Sequence, residues 1–138
     1  MRTLSLIFYL FFIQLFLIIE VDAIENKILV KVNDDVITSL DVYDEIKYLN
    51  LINNNFGTLN KEKKIEIAKN SIIREKIKKI EILKRIEKID IDTDLLNNVA
   101  VSNFQKLGVK SVNDFENYFK KGGIDPELIR QKISIELL

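Results

Sequence analysis

The chain has 138 residues, 21 basic against 21 acidic side chains, one Pro, and no His or Cys. That length predicts one domain, and neutrality excludes a dedicated nucleic-acid binder. The lack of Cys excludes disulfides, and with His also missing the usual general base, thiol nucleophile and imidazole ligand are gone. Carboxylates are spread through the sequence from Glu20 onward, so no pair stands out as acid and base, and neither catalysis nor a cofactor is expected.

The first 23 residues read as a signal peptide. Arg2 supplies a short positive region, Leu4–Ile19 is apolar but for Ser5 and Gln14, and Val21-Asp22-Ala23 offers a cleavage site after Ala23. A retained anchor is the competing reading. However, sixteen helical residues reach about 24 Å, short of a hydrocarbon core of about 30 Å. Either way the body, 24–138, is exported, and its expected membrane contact is through the signal segment alone.

Ile28-Leu29-Val30-Lys31-Val32 is β-rich, Asn33-Asp34-Asp35 is turn chemistry, and Val36-Ile37 resumes the β character, so a small hairpin is predicted. Thr38 with Asp41 three residues on is a capping-box-like helix start. A first helix is expected over 40–52, with Leu40, Tyr43, Ile46 and Leu49 inward. Asn53 to Thr58 is a polar loop in which Phe56 reads as a plug into the core.

Lys61 to Ile89 lacks Pro and Gly and is rich in helix formers, which predicts one central helix of roughly 40 Å. Ile65, Ala68, Ile72, Ile80, Leu83 and Ile86 share one side, extended by Ile73 and Ile77 one way and by Ile82 and Ile89 the other. So wide an apolar arc needs neighbours around it. The stretch holds eleven Lys/Arg against five Glu. Glu75–Lys79 and Glu81–Arg85 at i,i+4 account for part of that charge.

Asp90, Asp92 and Asp94 copy the first three ligand positions of a calcium loop, but Leu95 stands where Gly is needed and Val101 where Glu is. The calcium reading fails. Asp92 or Thr93 is expected to cap a third helix instead, over 94–107, with Leu95, Leu96, Val99 and Phe104 inward and Gly108 just past its end. Ser111 to Asp114 repeats the capping signature. The fourth helix then carries Val112, Phe115 and Phe119 on one face with Tyr118 beside them. Gly122-Gly123 breaks it, and Asp125 with Pro126 starts a fifth helix whose end is apolar at Ile133, Ile135, Leu137 and Leu138. The expected fold is mainly α: a short N-terminal β-hairpin and about five helices, the second long and central.

V-x-V-N-x-x-V-I-T-x-x-D-V, present as Val30 to Val42, resembles the start of the N-terminal domain of the SurA family. These are periplasmic chaperones of outer-membrane proteins, within the wider group of exported parvulin-type chaperones that includes PpiD and PrsA. Ile72-Ile73-x-Glu75 and the apolar helix after it resemble that domain's long helix. Ile89 to Asp94 resembles its connection to the next helix, although the family's Gly is missing. Phe115 to Leu138, with the Gly pair and Arg130, resembles its last helices. The resemblance covers Glu25 to Leu138.

It implies a periplasmic location in a Gram-negative bacterium and a holdase role, with unfolded outer-membrane polypeptides as clients. The client contacts implied are Tyr43, Phe56, Phe104, Phe115, Tyr118 and Phe119, although aromatics at the helical spacing of Phe115 and Phe119 commonly form core. The family's parvulin domains, whose active sites carry histidines, have no counterpart in the chain, so isomerase activity is not expected. The chain then reads as a standalone remnant or as the N-terminal part of a longer SurA-like isomerase. Two further readings stand beside the holdase. One is an assembly module that forms a homodimer or docks on a partner subunit through its apolar surface and hairpin edge. The other is lipid or polyanion binding by the basic helix.

Overall fold

A computed structural model describes residues 26–138; the signal segment read at 1–23 lies outside them. Two antiparallel strands, β1 (Ile28–Val32) and β2 (Asp35–Thr38), are followed by five α-helices. These are α1 (Ser39–Ile52), α2 (Lys61–Leu83), α3 (Thr93–Phe104), α4 (Val112–Lys121) and α5 (Pro126–Leu137). The fold is mainly helical, as expected.

Local chemistry sets most boundaries. Asn33 takes the left-handed conformation at the hairpin turn (φ 54°), which Asn tolerates better than most residues. Lys31 pairs with Val36 and Val32 with Asp35 across it. Thr38 and Asp41 close a reciprocal capping box: the Asp41 amide donates to the Thr38 hydroxyl (3.2 Å) and the Thr38 amide to the Asp41 carboxylate (2.7 Å). Asn60, Asp92, Ser111 and Asp125 cap α2 to α5 in turn, each side-chain oxygen accepting an amide of the first helical turn. Each such cap contributes on the order of 1 kcal/mol. Gly108 (φ 87°) ends the short 3₁₀ turn Gln105–Leu107 that finishes α3.

Three expectations change. The central helix stops at Leu83 rather than Ile89 and is followed by turns in which Arg85 and Ile86 both donate to the Ile82 carbonyl. Its arc runs out of neighbours there, since Leu83 and Ile86 are exposed, and propensity alone seldom holds a helix end without packing. The inward face of α1 is not Leu40 and Tyr43, which are exposed, but Val42, Glu45, Ile46 and Leu49. Leu95 of α3 and Val112 of α4 likewise face outward, while Ala100 of α3 is buried.

Two apolar clusters result. The first joins the hairpin to α1 and α2 through Ile37, Val42, Ala68 and Ile72, with Ile46, Leu49 and Ile65 at its margin. The second unites α3, α4 and α5 around Phe104, Phe115, Phe119 and Ile129, and α1 reaches it through Tyr48, Leu51 and Ile52. At ~100° per residue, Val42, Ile46 and Leu49 lie on one side of α1, and Tyr48, Leu51 and Ile52 on another. Glu45 falls at the seam between the two sides. A charged side chain thus sits where the two halves of the molecule meet.

Candidate functional site

The six aromatics proposed for client contact do not form one surface. Phe104, Phe115 and Phe119 are buried in the second cluster, with ring centroids 5.0 to 5.9 Å apart. Phe119 meets the other two edge-to-face, and such pairs add about 0.5–1.5 kcal/mol each beyond area burial. Half-buried Tyr118 stacks edge-on against Phe119 and donates its hydroxyl to the Leu51 carbonyl (2.7 Å). Phe56 is buried in the turn after α1, the plug that the loop sequence predicts. Tyr43 alone of the six is exposed, with the Lys47 ammonium 5.2 Å from its ring centre. Five of the six are therefore buried or half-buried in the fold and do not offer an open contact surface.

What the fold does leave open is a groove of about 760 Å³ between α1, α2, α5 and the 84–92 connection. Its floor follows from the periodicity of α2. Ile65, Ala68, Ile72 and Glu75 are spaced at i, i+3, i+7 and i+10 on one face, so the apolar stripe becomes charged where the groove opens. Across it, α5 presents Leu128, Lys132 and Ile135, and the connection adds Ile89 and Ile91.

Lys132 bridges two carboxylates. Its ammonium lies 2.8 Å from Glu45 Oε2 on α1 and hydrogen-bonds Glu75 Oε2 on α2. It also stands 5.3 Å from the centre of the Tyr48 ring, within cation–π range. The Glu45 side chain is 3% exposed, that of Lys132 20% and that of Glu75 31%. Burial works to lower the pKa of Lys132, but the adjoining charges of Glu45 and Glu75 and their hydrogen bonds outweigh it, and the net shift is upward. Burial pushes the Tyr48 phenol up to about 12, with Lys132 opposing that shift. The other oxygen of Glu45, Oε1, is buried with no hydrogen-bond partner. Two carboxylates thus share one cation, leaving an unfilled acceptor behind it.

Sequence reasoning paired Glu75 with Lys79 and Glu81 with Arg85. Instead Glu75 bonds Lys132, 57 residues away, and Glu81 bonds Lys84 at 2.6 Å. The one available signal was Glu45 itself, a carboxylate three residues after Val42 on an otherwise apolar face. Reading Leu40 and Tyr43 as inward hid it.

A second ionic node, on Arg130, is structural. Its guanidinium donates to Asn97 of α3 (3.2 Å) and Glu116 of α4 (2.6 Å) and lies 5.2 Å from the centre of the Phe115 ring, tying three helices together. Hydrogen bonds from Lys120 and then from Arg130 hold the Glu116 carboxyl below its ordinary range. The three aspartates tested for calcium are parted: Asp90 pairs with Lys88 (3.0 Å) and Asp92 caps α3. Among the described residues no helix is long and apolar enough to cross a membrane.

No family model, curated protein or solved structure matches the chain.

Proposed function

We propose that the chain is a holdase-type chaperone module, which binds segments of unfolded outer-membrane polypeptides in the periplasm. The observation that carries this reading is the groove. Its volume lies in the range of ligand-binding clefts, about 300–1,000 Å³, and its walls alternate aliphatic and charged side chains around the half-exposed Leu128. Such a surface takes an extended apolar segment and leaves polar groups at its margin. The order of the hairpin, long-helix and Gly-pair motifs supports the SurA-type assignment. The absence of His and Cys from the whole sequence supports binding rather than catalysis.

The test is suppression of aggregation of an unfolded outer-membrane β-barrel protein by the purified chain, with circular dichroism on the same sample. Helical protein that suppresses aggregation in proportion to its concentration is the expected result. Helical protein without suppression removes the holdase reading.

One observation favours a second reading, an assembly module. Ile28, Leu29 and Val36 are exposed on a two-stranded sheet, Ile28 at 69%. One face of this hairpin packs on α1 and α2 through Ile37, and a two-stranded sheet keeps edges for pairing with a second copy or a partner subunit. A dimer whose proportion does not change on dilution in sedimentation would favour it.

A further inference from the structure

We propose that the groove selects segments in which an arginine or lysine stands among aliphatic residues, the cation pairing with Glu75 while Lys132 passes wholly to Glu45. This rests on the polypeptide-binding reading above and names what that site prefers.

Three observations converge on it. The chain as a whole is neutral, yet seven carboxylates face three ammonium groups along the groove. Most of those carboxylates have their own partners: Asp35 has Lys76 (3.3 Å), Asp44 has Lys47 (3.0 Å) and Asp41 the Thr38 cap. The imbalance is concentrated where Glu45 and Glu75 share Lys132. Behind that shared cation, Glu45 Oε1 is buried without a donor, an arrangement that costs free energy as it stands.

A guest cation corrects both deficits at once. Glu75 is the member of the cluster most open to solvent, so a guanidinium entering the groove reaches its carboxylate and bonds it through two parallel N–H groups. Lys132, released from Glu75, keeps three donors and turns them to both oxygens of Glu45. The cluster then holds two cations for two carboxylates. A polyanion is repelled by the same charge balance. A bare metal ion is disfavoured because no three acidic side chains converge among the described residues. The aliphatic walls at Ile72, Ile91, Leu128 and Ile135 favour a cation carried on an apolar polypeptide over a free, fully hydrated amine.

The experiment measures fluorescence anisotropy of labelled peptides of one aliphatic frame, differing only in Arg or Gln at the central position, against the full chain. The Arg peptide should bind about tenfold tighter than the Gln peptide, the equivalent of one charge-assisted pair. In Glu75→Gln that preference should shrink to less than about twofold. Glu75→Gln keeps the side-chain shape and leaves Lys132 on Glu45, and circular dichroism verifies its fold. Lys79→Glu, at an exposed position on the groove wall, adds an independent arm and should raise the preference for Arg.

Equal binding of the two peptides to the wild-type chain overturns the cation preference but leaves polypeptide binding standing. So does a preference that survives Glu75→Gln. Competition by free spermidine as effective as that by the Arg peptide overturns the polypeptide as occupant. If neither peptide binds, both this inference and the polypeptide-binding reading fall.

Discussion

Lys132 joins the two halves of the molecule by charge, beside the apolar contacts of Tyr48, Leu51 and Ile52. It rises from α5 and pairs with one oxygen of the buried Glu45 carboxylate at 2.8 Å, while the other oxygen has no partner among the described residues. Removing one partner of a buried pair costs more than the pair is worth, because a charge is left unpaired. Lys132→Met is therefore expected to lose about 3 kcal/mol in urea unfolding. Adding Glu45→Leu should restore most of the loss, since the orphaned carboxylate goes with it and Glu75 is open enough to be solvated. A double variant no more stable than Lys132→Met would show that the cluster holds the helices by packing and not by charge.

Tyr48, against the same ammonium, supplies the pH dependence. Its phenol, raised by burial to about 12, stays protonated in the folded chain where an unfolded chain would begin to ionise it near ~10. The stabilisation this represents is complete below pH ~10 and is lost as pH climbs through about 12. The upward shift of Lys132 has the same sign and adds to the loss at high pH. Alkaline titration followed by tyrosinate absorbance should show a late step near pH 12 that Tyr48→Phe removes. An early step near ~10 for all tyrosines would mean that the seam is wet.

At the scale of elements, what was legible divides by how far the cause lies along the chain. The capping box of Thr38 and Asp41, the Asp92 and Ser111 caps and the Asp125-Pro126 start all complete themselves within a few residues, so the sequence displays them. The end of α2 depends on which neighbours cover Leu83, and the rotation of α1 depends on its lying between two clusters. Neither cause is local. The groove was least legible of all, because Lys132 meets carboxylates on α1 and α2 that no nearby spacing connects to it.

Gly122 shows the same division. Its sequence context marks a helix break, and Gly123 does take the left-handed φ of 70° there. Gly122 has ordinary helical angles, and its constraint is instead contact: a Cβ there would lie 2.2 Å from Leu51 Cδ1 on α1. Gly122→Ala should thus cost about 1–3 kcal/mol, the usual range for overpacking. Gly122→Ala combined with Leu51→Ala should cost less than the sum of the two single changes, by thermal or urea unfolding. Additive costs would place the cause in the backbone.

At the scale of the whole molecule, the holdase and assembly readings use different surfaces, which makes them separable. Lys78 donates to the Glu136 carbonyl at 3.0 Å, bringing the last turn of α5, with exposed Leu137 and Leu138, within a lysine's reach of the α2 turn that carries exposed Ile77. These three side chains stand outside the groove's lining, on or just past the two helices, α2 and α5, that wall it. The hairpin's exposed Ile28, Leu29 and Val36 form the other surface. Exposed side chains contribute little to the fold, so replacing Ile77, Leu137 and Leu138 together by Gln should change unfolding free energy by less than about 1 kcal/mol. If clients are held along the helices, that triple variant should bind less 1-anilinonaphthalene-8-sulfonate and suppress aggregation several-fold less well, with its sedimentation unchanged. Replacing Ile28, Leu29 and Val36 by Thr keeps β propensity and should leave suppression intact. The opposite pattern, in which the hairpin variant alone loses both dye binding and self-association, would transfer the apolar surface's role to strand pairing. The groove would then be a byproduct of how α5 closes on α1 and α2.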